Sequence, residues 1–293
     1  MDNTAPFFSI VIPTYNHAHF MKRCLDGLIN QTYDNWEAIV INNFSEDNTI
    51  EIVEGYNDPR IRLINNANGG IIAVSRNKGI SEAKGDWICF LDSDDWWYPN
   101  KLETSLKYLE NCDLLYHNLD KYFSVKSNKG VIRGRTLTRD IAKDLLINGF
   151  CIPNSSVIVR KNIVDMIGKI NEDKRFIAIE DSDYWMRISK ITNHFKFIDL
   201  SLGAYWIGEN MSISPKQIDR EIHLFNQYKG LLNSTELNQA LKSLSIRKGR
   251  IYHQLGNFKD AKNEYLISLH HPLVVVKIKS ILGYILCLLR MKT

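Results

Sequence analysis

Cysteine is scarce in this 293-residue chain and poorly placed for metal binding. There are five, Cys24, Cys89, Cys112, Cys151 and Cys287. None lies at metal-ligand spacing from another, and the number is odd. That excludes a cysteine-metal module and argues against a disulfide framework. The five read as reduced thiols of a cytosolic protein. The opening Met1-Asp2-Asn3-Thr4 lacks a basic stretch ahead of an apolar one, so no signal peptide is expected. No apolar run is long enough to span a bilayer. The best candidate, near the C-terminus, leaves ten residues between Lys279 and Arg290, too few. A net positive charge is also missing from most of the chain. Residues 241–293 hold ten Lys/Arg against two Asp/Glu, a balance of +8, while the other 240 hold 27 against 31, a balance of −4. With the positive charge confined to the tail and no RNA- or DNA-reading motif, nucleic-acid binding is excluded as a leading function.

What remains reads as an α/β protein. Apolar runs at Phe7–Ile12, Trp36–Ile41, Arg60–Ile64 and Trp87–Leu91 predict strands. Helical spacing over His19–Gln31, a cap at Ser45–Asn48 leading to about Tyr56, and Ile72–Ala83 predict the helices between them. This alternation predicts a doubly wound, mostly parallel sheet. Further on, Lys101–Asn111, Thr138–Ile147 and Asp181–Ile191 predict helices. Asp113–His117 and Ser155–Val159 predict strands, 124–136 a loop or hairpin, and 195–207 one or two short strands. From Pro215 onward the pattern is helical.

The chemistry concentrates where strands end. Asp92, Ser93, Asp94 and Asp95 follow the fourth apolar run directly. Carboxylates packed this closely repel, and a divalent cation with hard oxygen ligands offsets their charge. Strand ends of open α/β sheets are also where ligands bind. Pro13-Thr14-Tyr15-Asn16 and Asn42-Asn43-Phe44-Ser45 lie at the same edge, where hydroxyl and amide groups suit a nucleoside and turn chemistry is the competing explanation. Arg76-Asn77-Lys78 brings two cations suited to a pyrophosphate; a solvated helix face is the alternative. Glu180 and Asp181 open a helix, either as N-terminal caps or as an acid able to accept a proton from an attacking hydroxyl.

Taken in order, Pro-Thr-Tyr-Asn, Asn-Asn-Phe-Ser, Ser-Arg-Asn-Lys-Gly, Asp-Ser-Asp-Asp and the later Glu-Asp resemble a family 2 glycosyltransferase of the GT-A fold. The resemblance covers about residues 6–210 and is most specific from Arg76 to Leu102. It implies a catalytic domain over 1–212, with a nucleotide-sugar half at about 6–117 and an acceptor half at about 118–212, followed by a helical region over 213–293. It implies transfer of a sugar from a nucleotide-diphosphate donor to an acceptor hydroxyl, with inversion. Pro13, Thr14, Tyr15, Asn16, Asn42, Asn43, Arg76, Asn77 and Ser93 would surround the donor. Asp92 and Asp94 match the DxD element that holds Mn²⁺ or Mg²⁺. Asp181 matches the general base, with Glu180 beside it. Trp96, Trp97 and Asp95 would meet the acceptor, although the two tryptophans serve equally well as packing for the next helix. The donor base is expected to be uridine first, with GDP or dTDP as alternatives. Relatives commonly read Asp-Asp-Gly-Ser where this chain has Asn42-Asn43-Phe44-Ser45, so an uncharged acceptor replaces a charged one. No His or basic residue stands in 205–210. The Gln-x-x-Arg-Trp segment of processive synthases is absent, which favours transfer of a single sugar.

In the tail, about 244–272 resembles one tetratricopeptide-type hairpin. Residues 273–291 are dense in Leu, Ile and Val with flanking cations, the pattern of a helix lying in a membrane interface. The alternatives are a packed terminal helix and a contact with a second copy. The expected setting is the cytoplasmic face of the inner membrane, beside a lipid-linked oligosaccharide acceptor in bacterial surface polysaccharide synthesis. Two other functions compete. A sugar nucleotidyltransferase would carry a glycine-rich basic loop after the first strand, where this chain has Thr14-Tyr15-Asn16-His17-Ala18-His19. A non-catalytic scaffold would not need the intact carboxylates.

Overall fold

The computed structural model describes residues 5–124, 127–208 and 214–291. In chain order the elements are β1 (Phe8–Thr14), α1 (Ala18–Ile29), β2 (Trp36–Asn42), α2 (Thr49–Glu54), β3 (Ile61–Asn65), α3 (Ile72–Glu82), β4 (Trp87–Phe90), β5 (Trp96–Trp97), α4 (Lys101–Leu106), β6 (Leu114–Ser124), β7 (Ser127–Ile132) and α5 (Ile141–Asn148). They continue with β8 (Ile158–Arg160), α6 (Lys161–Ile167), α7 (Glu180–Ile188), β9 (Phe195–Trp206), α8 (Lys216–Tyr228), α9 (Ser234–Gln254), α10 (Phe258–Ser268) and α11 (Val274–Leu288). The chain forms two compact units. The first comprises Met1–Leu137, Cys151–Glu172 and Arg187–Gly208; the second comprises Thr138–Phe150, Asp173–Met186 and Glu209–Thr293. The single boundary expected at 212 lies outside the described residues. The packing instead draws 138–150 and 173–186 into the helical unit.

All the strands belong to the first unit. Their order is β3-β2-β1-β4-β8-β6-β9-β5, with β7 on β6. β1 pairs in parallel with β2 and β4, and β2 in parallel with β3. Every residue of β1 and β2 is buried. Strands covered on both faces read as continuous apolar runs, which is why these were visible in the sequence. The polar exceptions satisfy each other: Ser9 Oγ donates to Glu37 Oε1 at 2.7 Å across the β1–β2 register. Met21, Cys24, Leu25 and Leu28 of α1 pack into the core beneath this sheet, at the spacing one helical face requires. On α3, a methyl group at Gly79 would come within 2.4 Å of Val11 on β1, so glycine sets that close approach.

The hairpin alternative holds for 124–136, where β6 pairs antiparallel with β7. Other expectations change: 195–207 is not short strands but one of twelve residues, β9, parallel to β6. The helix predicted to Asn111 is assigned only to Leu106, and α6 was not expected. Lys101, at the start of α4, is fully buried with its ammonium 3.6 Å from the centre of the Trp97 ring. Burial brings this lysine down to about 8, because a desolvated ammonium is costly.

In the second unit, α9 opens with a capping box between Asn233 and Glu236. α9 and α10 form the hairpin expected near 244–272, turning through Gly256 at φ +78°, a left-handed value suited to glycine. Tyr265 of α10 is the keystone. A methyl at Gly249 of α9 would lie 3.1 Å from its ring, and one at Gly283 of α11 2.4 Å. α11 buries Val276, Ser280, Gly283 and Cys287. Its other side exposes Val274, Val275, Ile278, Ile281, Leu282, Ile285 and Leu288, each between 45% and 67%.

Candidate active site

Because β1, β2 and β4 are parallel neighbours, their C-terminal ends share one edge. The loops leaving them are stitched together. Asn43 N–H donates to the Thr14 carbonyl at 2.9 Å, Asn16 N–H to Ser45 Oγ at 2.8 Å, and Glu46 N–H to Asn16 Oδ1 at 2.8 Å. Asn42 is fully buried and its amide is spent internally, on Asn65 Oδ1 and on the N–H and hydroxyl of Ser45. Asn43 is half-buried, and its Oδ1 accepts from Asn68 N–H at 2.9 Å. Pro13 and Thr14 are the buried end of β1, whereas Tyr15 is exposed.

The carboxylate loop after β4 is built from both sides. Asp92 is half-buried; its Oδ1 accepts from the buried Arg76 at 2.7 Å and from the Asn154 amide at 3.2 Å. Asp94, also half-buried, is pushed up to about 7, first by burial and then by the charge of Asp92, against the pull of Arg23 and Arg76. Asp95 is 1% exposed. It accepts from the Trp206 N–H at 2.9 Å and from Ser155 Oγ, and burial with its two neighbours raises it further. Ser155 is the pivot, since its Oγ also accepts from Asp92 N–H at 3.1 Å. Ser93 is buried, with Oγ 2.7 Å from His17 Nδ1.

Arg23 of α1 completes the loop. It donates to the Asp94 carbonyl at 2.7 Å while its guanidinium lies 4.0 Å from the Trp96 ring centre and 4.5 Å from that of Trp206. Such stacking is worth about 0.5–2 kcal/mol depending on desolvation. Arg23, His17, Asn154 and Ser155 were missed in the sequence. Arg23 and His17 act on residues more than seventy positions away, and no local pattern marks any of the four.

Four expectations are corrected by burial. Trp97 is 1% exposed and its indole N–H donates to the Ser155 carbonyl at 2.7 Å. It packs the core, as does the sealed Asp95, and neither offers a surface to an acceptor. Asn77 is buried, with its amide donating to the Ile170 carbonyl and Glu172 and accepting from Ile170 N–H, each at 2.8 Å. It fastens α3 rather than facing a donor. Asn42 is likewise structural. Trp96 is half-buried, between Arg23 and Tyr122. Glu180 and Asp181 belong to the second unit. Glu180 is buried, and Asp181, half-buried, accepts from the Ser182 N–H at 2.6 Å in the first turn of α7.

Among the described residues no group of three or more His, Cys, Asp or Glu stands ready to hold a metal. The Asp92–Asp94 pair nevertheless fits a divalent cation that takes its other ligands from water and phosphate. A carboxyl held up near 7 by burial and a neighbouring carboxylate is one that a cation would stabilise as the anion.

A family model described as Glycosyl transferase family 2 matches residues 9–168. The amylovoran biosynthesis glycosyltransferase AmsB of Erwinia amylovora is 28% identical over 298 aligned residues, covering 91% of this chain and 96% of that one. The UDP-Glc:alpha-D-GlcNAc-diphosphoundecaprenol beta-1,3-glucosyltransferase WfgD of Escherichia coli is 29% identical over 187 residues, 63% of this chain and 70% of WfgD. Against the hyaluronan synthase of Pasteurella multocida the identity is 43% over 107 residues, and the chain spans 11% of that protein's length. The mannosyltransferase PcManGT from Pyrobaculum calidifontis, solved with GDP-Man and Mn²⁺, superposes with a TM-score of 0.64 at 14% identity, covering 98% of this chain and 81% of that one. This likeness shows a GT-A-like fold. With the family model matching more than half of its length, the chain belongs to the family 2 glycosyltransferases.

Proposed function

We propose that this glycosyltransferase is inverting and metal-dependent. It moves one sugar from a nucleotide-diphosphate donor, UDP-linked first, to a hydroxyl of a lipid-linked glycan in bacterial surface polysaccharide synthesis. The observation that carries the reading is the Asp92–Asp94 pair at the shared sheet edge, with Asp94 raised to about 7 by burial and by Asp92. Asp92 and Asp94 would hold the cation. When bound, a divalent cation supplies the positive charge that eases departure of the diphosphate. Arg76 neutralises Asp92, and Arg23 fixes the backbone of Asp94 from below. Asp181 takes the proton from the acceptor hydroxyl as that oxygen attacks the anomeric carbon and the bond to the diphosphate breaks. Glu180 lies beside it at the start of α7. A single displacement with an oxocarbenium-like transition state needs no enzyme nucleophile and inverts the centre.

The names of two relatives support the donor and acceptor classes: WfgD is a UDP-Glc enzyme acting on a diphosphoundecaprenol, and AmsB serves amylovoran biosynthesis. A lipid acceptor places the enzyme at the cytoplasmic face of the membrane. No described helix is long and apolar enough to cross it. The exposed stripe of α11 would lie in the interface instead. At roughly 100° per residue, Lys277 falls at one margin of that stripe and Lys279 at the other. That is the arrangement in which lysine stems cover apolar surface while their charges reach lipid phosphates.

The test is thermal stability with UDP, GDP, dTDP or CMP, each with Mn²⁺ and with EDTA. A ligand bound only by the native state raises the melting temperature. Stabilisation by a nucleoside diphosphate only when metal is present is expected, and no response in folded protein would remove the reading. Asp181→Asn should then abolish transfer while donor binding persists; retained turnover would dismiss Asp181 as the base.

A further inference from the structure

Phe44 occupies a backbone setting that the fold has no reason to give an aromatic residue. Its φ is 53°, in the left-handed region, where a side chain with a Cβ crowds the carbonyl and a bulky one is an outlier. Burial of the ring would offset such strain, but Phe44 is 58% exposed. The conformation is not the slack of a loose loop. Asn43, just before it, bonds Thr14 and Asn68; Ser45, just after it, donates twice to Asn42. Strain that the surrounding structure enforces, without a packing return, points to use outside the fold.

The opposite loop carries the second exposed ring. Tyr15 is 48% exposed and is bracketed by the same stitches: Thr14 O accepts from Asn43 N–H on one side, and Asn16 N–H donates to Ser45 Oγ on the other. Tyr15 and Phe44 therefore leave the ends of β1 and β2 side by side. The carboxylate loop leaves β4, which follows next in the order β2-β1-β4. Two strand spacings make about 10 Å, the span a ribose and its phosphates bridge. The loop holding Phe44 has no charged group at Asn42, Asn43 or Ser45 to accept from a base, and the Asn42 amide is already spent on Asn65 and Ser45.

We infer that Phe44 is a base-stacking residue of the donor site: its ring supplies, by stacking, nucleotide affinity that a charged acceptor would otherwise provide. The inference rests on the donor-site reading above. Stacking recognises any flat base, so selection among uridine, thymidine and guanosine diphosphates is shallow at this position, and Phe44 sets affinity more than identity.

The experiment compares wild type, Phe44→Gly and Phe44→Trp by calorimetric titration with UDP and with inorganic pyrophosphate, both with Mn²⁺, alongside melting temperatures. Glycine accepts the left-handed backbone, so Phe44→Gly should melt no lower than wild type. Its Kd for UDP should rise at least about five-fold, the low end of base stacking, while its Kd for pyrophosphate, which has no base, stays unchanged. Phe44→Trp should retain UDP affinity. Unchanged UDP binding in Phe44→Gly overturns the inference, and so does an equal loss of UDP and pyrophosphate, which would assign Phe44 to loop shape. Wild-type protein that binds pyrophosphate but no nucleoside diphosphate, or binds neither, overturns the donor-site reading itself.

Discussion

At the scale of single residues, two titratable groups work against the fold, for different ends. Asp94 ionises in the native state only near 7, against about 4 in an unfolded chain. Between those values the native state holds the extra proton, so metal-free stability falls as pH rises through that window. Asp94→Asn should therefore raise the melting temperature in EDTA at pH 8 and abolish stabilisation by Mn²⁺ with UDP. Lys101 is the opposite case. It titrates at about 8 in the fold and near 10.4 when unfolded, so the unfolded chain binds more protons between those values. Its cost is fully present below 8 and is relieved as pH rises toward 10.4. Lys101→Met keeps the stem and removes the charge; it should stabilise the protein at pH 7 by about 1–3 kcal/mol, net of the lost Trp97 contact, as read by denaturant titration. A melting temperature below wild type would mean that the ammonium is held by more than a ring. The aspartates were legible as a cluster because they adjoin an apolar run. The lysine was not, since nothing in its neighbours' identity marks it as interior.

At the scale of elements, the legible parts were those whose burial imposes a simple period. β1, β2 and β4 are buried throughout and read as apolar blocks, and α1 shows one inward face. The length of β9 was not legible, because its burial is irregular along twelve residues and its sequence follows no period of two. The site shows the same contrast. Its strand-end motifs were visible, whereas the α1 side chain that holds the carboxylate loop was not. Arg23 reaches Asp94 across 71 positions. Arg23→Ala should free that loop: kcat/KM should drop about 10- to 100-fold with a melting-temperature change of only a few degrees, and Arg23→Lys should not restore activity, because an ammonium cannot fill the planar slot between Trp96 and Trp206. Full activity in Arg23→Ala would show that the aspartate loop holds its shape unaided.

At the scale of the whole molecule, the basic character and the exposed apolar stripe coincide in the second unit. No Asp or Glu follows Glu264, while Lys277, Lys279, Arg290 and Lys292 do. Ile278→Glu with Leu282→Glu should abolish co-sedimentation with vesicles containing anionic lipid and leave transfer to a soluble acceptor unchanged; undiminished sedimentation would remove α11 as the anchor, and a shift from dimer to monomer would assign the stripe to a second copy. The tetratricopeptide-like signature guided the hairpin, but the regrouping of 138–150 and 173–186 with the helical tail was hidden, because it depends on contacts between segments far apart in sequence.

The Tyr265 ring is in near contact with two glycines, Gly249 and Gly283, on two different helices. A key seated that tightly fixes α11 in rotation about its own axis. A turn that tucked the Val274–Leu288 stripe inward would drive a side chain into the ring. The apolar side is thus held outward, and were it to meet a bilayer, binding would need no conformational switch and would vary with lipid composition and salt. An apolar stripe held open in this way also predicts that the purified protein self-associates as its concentration rises, which light scattering would read.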